Sequence, residues 1–274
     1  MAPYATPIEI AWQWFFRLIC TLVFVFLLIP ILAIIPLSFN SSTFLTYPLQ
    51  GFSMRWYSDV LGTERWLLPI KNSLIVSLST TALATILGTM AALGLSRLKS
   101  RARSLTMGLI LSPLIIPVII TAVGMYFLFA PLGLTNGYLG LILSHTTIAV
   151  PFVVITVAAT LQGFDTNLMR AAANLGASPL TAFRRVMLPL ILPGVISGAL
   201  FAFAASFDEI VISLFLAGPQ QRTLPLQMLS GVREEISPSI TAVATLLVIF
   251  SAVLLASVEL LRRRSEKLMA KDRT

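Results

Sequence analysis

The sequence predicts an all-α protein, an integral membrane bundle of six transmembrane helices with a helical loop on the cytoplasmic face. Three observations predict it. Hydrophobic residues make up 57% of the 274 residues and charged residues only 11%, with a mean hydropathy of +0.92. A soluble domain would carry about a quarter charged residues, and a disordered chain would be far less apolar. The apolar residues are gathered into runs that meet the ~20 residues a membrane span requires. The basic residues are concentrated between and after those runs, at 97–103 and 262–264. A net charge of +8 is then the mark of positive-inside topology rather than of nucleic-acid binding.

The first span is expected at 18–37, which holds no charge. It is too long for a signal-peptide core and no A-x-A-like site follows it, so it is expected to be retained. Residues 38–68 are mixed and aromatic (Phe39, Phe44, Tyr47, Phe52, Trp56, Tyr57, Trp66), as suits an external interfacial loop. The second span is expected at 70–95. From 104 to 164 there is no Asp, Glu, Lys or Arg. That stretch is too long for one span at about 1.5 Å per residue, and the turn-rich 131–137 divides it into spans at 105–130 and 138–161. The fifth is expected at 190–216, ended by Gly218-Pro219, and the sixth at 240–261. The chain thus divides into 1–68, with the first span and the aromatic loop; 69–261, with five spans and the loop 165–189; and a basic tail, 262–274.

Six spans put both termini on one side of the membrane. If 97–103 is cytoplasmic, 14 of the 19 Lys and Arg lie on that side, leaving Arg55, Arg65, Lys71, Arg222 and Arg233 outside. The opposite orientation inverts the rule.

The loop 165–189 carries explicit local signals. Asp165, Thr166 and Asn167 can cap a helix start. Gly176 suits the left-handed residue that ends it. Ser178-Pro179 reads as a second N-cap with Pro at the first helical position, and Pro189 is expected to break the chain again before span five. The result is a bent pair of short helices. Leu168, Ala171, Ala172 and Leu175 give the first a small apolar face, fit either for lipid headgroups or for a docked partner.

Arg170-Ala171-Ala172, Gly176 and Val186-Met187-Leu188-Pro189 resemble the EAA motif of binding-protein-dependent ABC importer permeases: E-A-A, three residues, G, nine residues, I-x-L-P. The spacing matches throughout, Val186 replaces Ile, and Arg170 stands where the family has Glu. The resemblance implies that this segment couples the permease to an ATPase subunit. Arg170, Ala171, Ala172, Gly176, Leu188 and Pro189 are its candidate coupling residues. It also implies a second homologous permease subunit, two ATPase subunits, an external substrate-binding protein, and residence in a bacterial inner membrane with both termini cytoplasmic. Phe52–Tyr57, Asn72–Ser77, Gly88–Ala92, Ser206–Glu209, Leu224–Leu226 and Ser237-Pro238 resemble, more loosely, the second permease subunit of spermidine/putrescine importers. The same branch handles opines, phosphonates, iron and amino-acid-like compounds. The expected cargo is a polyamine or related cation.

Asp208 and Glu209 are the only charged residues between Val186 and Gln221. Ionised carboxylates inside a span belong in the bundle interior or a wet cavity, so both are candidate substrate-path residues. They could instead neutralise a partner subunit or cap a broken helix. A secondary carrier using them as a proton site is the competing transport class; dependence on an ATPase separates the two. His145, the only histidine, has no Cys, His or carboxylate at ligand spacing and reads as a satisfied core residue. Cys20 is the only cysteine, which excludes internal disulfides and Cys-rich metal sites. Pro113, Pro117 and Pro151 are candidate kinks. Gly218–Gln221 and Arg233–Glu235 flank the last external loop, and either solvent or a docked binding protein suits them. None of the four Lys residues follows a Gly, and no GxSxG or HExxH occurs. The chain is therefore not expected to be an enzyme or to hold a cofactor. ATP and Mg are expected in the partner ATPase subunits.

Overall fold

The structure, a computed structural model, describes the backbone of residues 6–234 and 237–271 and the side chains of 6–233 and 237–256. Glu235, the side chains of Glu234 and Arg262–Arg264, and the end of the basic tail lie outside the described residues. The helices are α1 (Pro7–Leu37), α2 (Arg55–Gly62), α3 (Glu64–Ser96), α4 (Ser100–Ile115), α5 (Val118–Phe129), α6 (Tyr138–Gln162), α7 (Asn167–Asn174), α8 (Pro179–Ala182), α9 (Leu188–Phe207), α10 (Val211–Leu216), α11 (Leu224–Glu234) and α12 (Pro238–Lys271). Five helical stretches are long and apolar enough to cross a membrane, and α4 with α5 gives a sixth if that bent pair is counted as one span. The predicted class and count stand.

The spans differ from expectation where local chemistry overrides hydropathy. The first begins at Pro7, because Thr6 and Glu9 form a capping box: Glu9 Oε2 accepts from Thr6 N at 2.8 Å and Thr6 Oγ1 from Glu9 N at 3.4 Å. Arg17 lies inside the helix rather than before it. The third span is not one rod. Ile116 and Pro117 are extended, and α4 and α5 meet at 100°. Proline disfavours the helical region for the residue before it, so Pro117 is the cause. Pro113 and Pro151 lie inside unbroken helices. Pro189 does not break the chain. Phe183–Met187 form a π-helical turn in which Leu188 N donates to the Phe183 carbonyl. The helix re-registers there, and Pro189 falls in the first turn of α9, where its missing N–H is harmless.

The chain forms two compact units, Met1–Thr63 with Gly231–Leu254 and Glu64–Ser230 with Leu255–Thr274. In the first, α1 has no buried residue and from Leu18 onward carries no charge on any face, the pattern of a helix whose solvent is lipid. The predicted aromatic loop is an ordered knot. Asn40 is fully buried; its Oδ1 accepts from Ser42 N and Gln50 N, and its carbonyl from Trp56 Nε1 at 2.8 Å. Phe39 stacks on Phe52.

In the second unit α3, α6 and α9 pack around Val153 of α6. A Cβ on Gly88 of α3 would lie 2.6 Å from Val153 Cβ, and one on Gly198 of α9 would lie 2.9 Å from Val153 Cα. Small residues let backbones approach where no water drives helices together. Gly198→Leu is therefore expected to destabilise the unit by about 1–3 kcal/mol, seen as a lower thermal midpoint in detergent. Gly108→Ala, where nothing lies within 4 Å of the added Cβ, is the control and should leave the midpoint unchanged. A second apolar cluster joins Val76 (α3), Ala122 (α5), Leu141 and Ile148 (α6) with Ile212 and Leu216 (α10). It gathers the short helices that follow both chain breaks.

Candidate functional sites

The predicted fifth span ends early. α9 stops at Asp208 (φ −90°, ψ 1°), and α10 begins only at Val211. The twenty residues of α9 set this break about 30 Å along the helix from Leu188. Two carboxylates in an apolar run disfavour a continuous helix, because a helix end offers them backbone partners. Glu209 takes one: its Oε1 accepts from Ile212 N at 2.9 Å. Ser213 Oγ donates to the Glu209 carbonyl at 3.2 Å. Glu209 thus caps the second half of a broken helix, one of the roles open to it from sequence. Asp208 does not share that task. Among the described residues its carboxylate has no hydrogen-bond or ion-pair partner, and it is exposed.

Both carboxylates border an open cavity of about 680 Å³. The Pro113–Val118 turn between α4 and α5 forms one wall, Ile148 and Phe152 of α6 the floor, and Phe201, Ala204 and Ala205 of α9 the wall beside Asp208. Among the described residues no Lys or Arg lines it. The C-terminal ends of α4 and α9 both reach it, and each carries partial negative charge. The opposing N-terminus of α10 is met by Glu209 itself. The N-terminus of α5 reaches it as well, and the N–H groups of its first turn offset part of that negative charge. The two carboxylates give the cavity negative charge, and the rest of its lining is apolar.

His145 is fully buried beside this break, with Nδ1 2.9 Å from Ser206 Oγ and Nε2 3.4 Å from Ser213 Oγ. It is the satisfied core residue expected, and among the described residues no cluster of metal-ligating side chains occurs. Sequence reading missed its partners. It also missed the Pro113–Val118 wall, for which the spacing of Pro113 and Pro117 was the available signal.

The second candidate site is the loop after α6. Its two short helices are as expected. Asp165 Oδ1 accepts from Asn167 N at 2.9 Å, Ser178 Oγ caps α8 through Thr181 N, and Gly176 is left-handed with φ +82°. Arg170, Ala171 and Gly176 are exposed, Ala172 is half-buried, and Leu175 is 88% exposed. Leu188 instead packs inward on the α3–α6–α9 core, and Pro189 is exposed at the start of α9. The motif therefore has an outward part on α7 and an anchoring part at α9.

The turn Pro219–Gln221 is clamped from within the same unit. Asn72 Nδ2 donates to the carbonyls of Gln220 and Arg222, both at 2.9 Å, and Tyr138 Oη donates to Asn72 Oδ1 at 2.6 Å.

Three comparisons bear on these sites. The chain is 36% identical over 247 residues to the spermidine/putrescine transport system permease protein PotC of Escherichia coli (strain K12), covering 90% of this chain and 93% of that one. It is 36% identical over 231 residues to the putrescine transport system permease protein PotI of the same strain, covering 82% of each. Its fold matches a solved bacterial ABC transporter involved in import of the acidic polysaccharide alginate, with a TM-score of 0.73, 15% identity, and coverage of 94% of this chain and 99% of that one. Residues 84–271 match the model of one family, and with those relatives the chain belongs to the binding-protein-dependent transport system inner membrane components.

Proposed function

We propose that this chain is the membrane-spanning subunit of an ATP-driven importer for polyamines or closely related small cations. The observation that carries the cargo assignment is the cavity at the α9–α10 break, which has two carboxylates, two helix C-termini and, among the described residues, no basic one. The polyamine names of its relatives PotC and PotI agree with that chemistry. A site of this kind binds weakly, because conduction requires release as well as entry; capture falls to an external binding protein.

The partners follow from the family. A second permease subunit completes the path, and two ATPase subunits hold ATP and Mg and engage α7. Both termini of this chain lie in the cytoplasm. ATP binding draws the ATPase subunits together, the loop 165–189 carries that movement into the bundle, and the cavity opens to the outside. Hydrolysis and product release return it to face inward. Each step works only because the ligands bind the two states unequally.

Uptake of labelled putrescine, spermidine, γ-aminobutyrate and an anionic phosphonate, measured in cells with the gene deleted and restored, tests the cargo. Loss and rescue for the amines is the expected result. Loss for the anion instead would keep the importer and overturn the cation assignment.

A further inference from the structure

His145 has no task in that account. Its ring touches two segments: Nδ1 lies 3.2 Å from the Ser206 carbonyl and 2.9 Å from Ser206 Oγ, while Nε2 lies 3.4 Å from Ser213 Oγ. Ser206 is in the last turn of α9 and Ser213 in α10. One imidazole on α6 therefore grips both halves of the broken span, on either side of Asp208 and Glu209.

The protonation pattern follows from the partners. A carbonyl only accepts, so in the tautomer that satisfies the Ser206 carbonyl the ring proton is on Nδ1, and Nε2 accepts from the Ser213 hydroxyl, whose one proton is then shared with the Glu209 carbonyl. The last carbonyls of a helix have no partner within it, and in a membrane interior each orphan is costly. Ala204 O receives Asp208 N at 3.1 Å. Ser206 O receives the imidazole. An apolar residue at 145 would fill the space and leave that carbonyl unsatisfied. His145 does not line the cavity, so it acts from behind the wall.

We propose that His145 is a positioning residue: through Ser206 and Ser213 it fixes the two halves of the broken span and so aims Asp208 and Glu209 into the cavity. The inference rests on the reading of Asp208 as part of the solute path.

The test uses the full chain with its native partners. In a Cys20→Ser background, Asp208→Cys provides the chain's only thiol, and its rate of modification by N-ethylmaleimide in membranes, read on this chain after it is purified, reports the geometry of the break. His145→Phe keeps bulk without polar atoms; His145→Asn keeps a donor near the Nδ1 position. His145→Phe is expected to change the labelling rate about tenfold, the scale of one unsatisfied buried partner, while His145→Asn stays near the parent. With Asp208 intact, amine uptake should fall with Phe and recover with Asn. Unchanged labelling in His145→Phe would overturn the inference, even if uptake fell, because a general structural role would then suffice. If His145→Phe does not accumulate in membranes, Ser213→Ala takes its place; a smaller change in labelling is expected, and none would overturn the proposal. Normal uptake by Asp208→Asn would instead overturn the path reading, a result separable from the labelling.

Discussion

Asp208→Asn is expected to lower amine uptake by about tenfold while the protein reaches the membrane at its usual level. The two parts of this expectation have separate causes. Among the described residues the Asp208 carboxylate has no partner, so the isosteric amide orphans nothing and the fold does not register the change. The backbone bond from Asp208 N to the Ala204 carbonyl is untouched. What is lost is one of two negative charges on a cavity that no Lys or Arg lines among the described residues. The side chain is exposed to that cavity, so solvent screens its attraction and the loss is a moderate one. Glu209 behaves differently. Glu209→Gln keeps an oxygen for Ile212 N and removes only charge; Glu209→Ala also removes a cap, which costs about 1 kcal/mol. Uptake should therefore fall in all three variants, while only Glu209→Ala lowers the thermal midpoint. Purified complexes carrying Asp208→Asn that transport at the parental rate would take Asp208 out of the path.

The class and the span count were legible because apolar runs of membrane length are written directly in composition. Span four was expected at 138–161 and observed as Tyr138–Gln162, because Gly137 and Gly163 punctuate both ends. The helix that carries the first span starts eleven residues before the expected 18–37, because the Thr6–Glu9 capping box sets its start. The two breaks were hidden for a different reason. Hydropathy is flat through 113–118, and a proline there reads as a kink of unknown size; the 100° turn depends on Ile116 becoming extended. At 208–210 the charges were visible, but whether they interrupt the helix depends on Glu209 capping α10 and on Ser206 finding a donor. That donor, His145, lies 61 residues away, beyond the reach of any local pattern. The loop 165–189 was legible almost to the residue, since caps, Gly176 and Pro179 are short-range signals. Pro189 misled because a π turn is a register change with no sequence signature of its own.

Ala172→Asp is expected to abolish solute-stimulated ATP hydrolysis by the assembled importer, and Gly176→Asp to do the same by two routes. α7 exposes Leu168 and Leu175 beside the small Ala171 and Ala172. Apolar side chains gathered on one exposed face mark a contact surface. A carboxylate introduced there must be desolvated on docking without a built partner, which costs several kcal/mol. Ala172 lies within regular helix, so its substitution adds charge and bulk without backbone strain. Gly176 holds φ at +82°, where an L-residue costs about 1–2 kcal/mol. Gly176→Asn, which tolerates that conformation, separates strain from charge and should keep most of the coupling. Arg170 is the remaining variable, because it puts a cation where the family has an anion. The surface it meets has to accommodate positive charge, so Arg170→Glu is expected to weaken coupling and to do so less at high salt, where exposed charges are screened. Co-purification of the ATPase subunits with Ala172→Asp, together with unchanged stimulated hydrolysis, would remove α7 from the docking surface and leave it a helix resting on lipid headgroups.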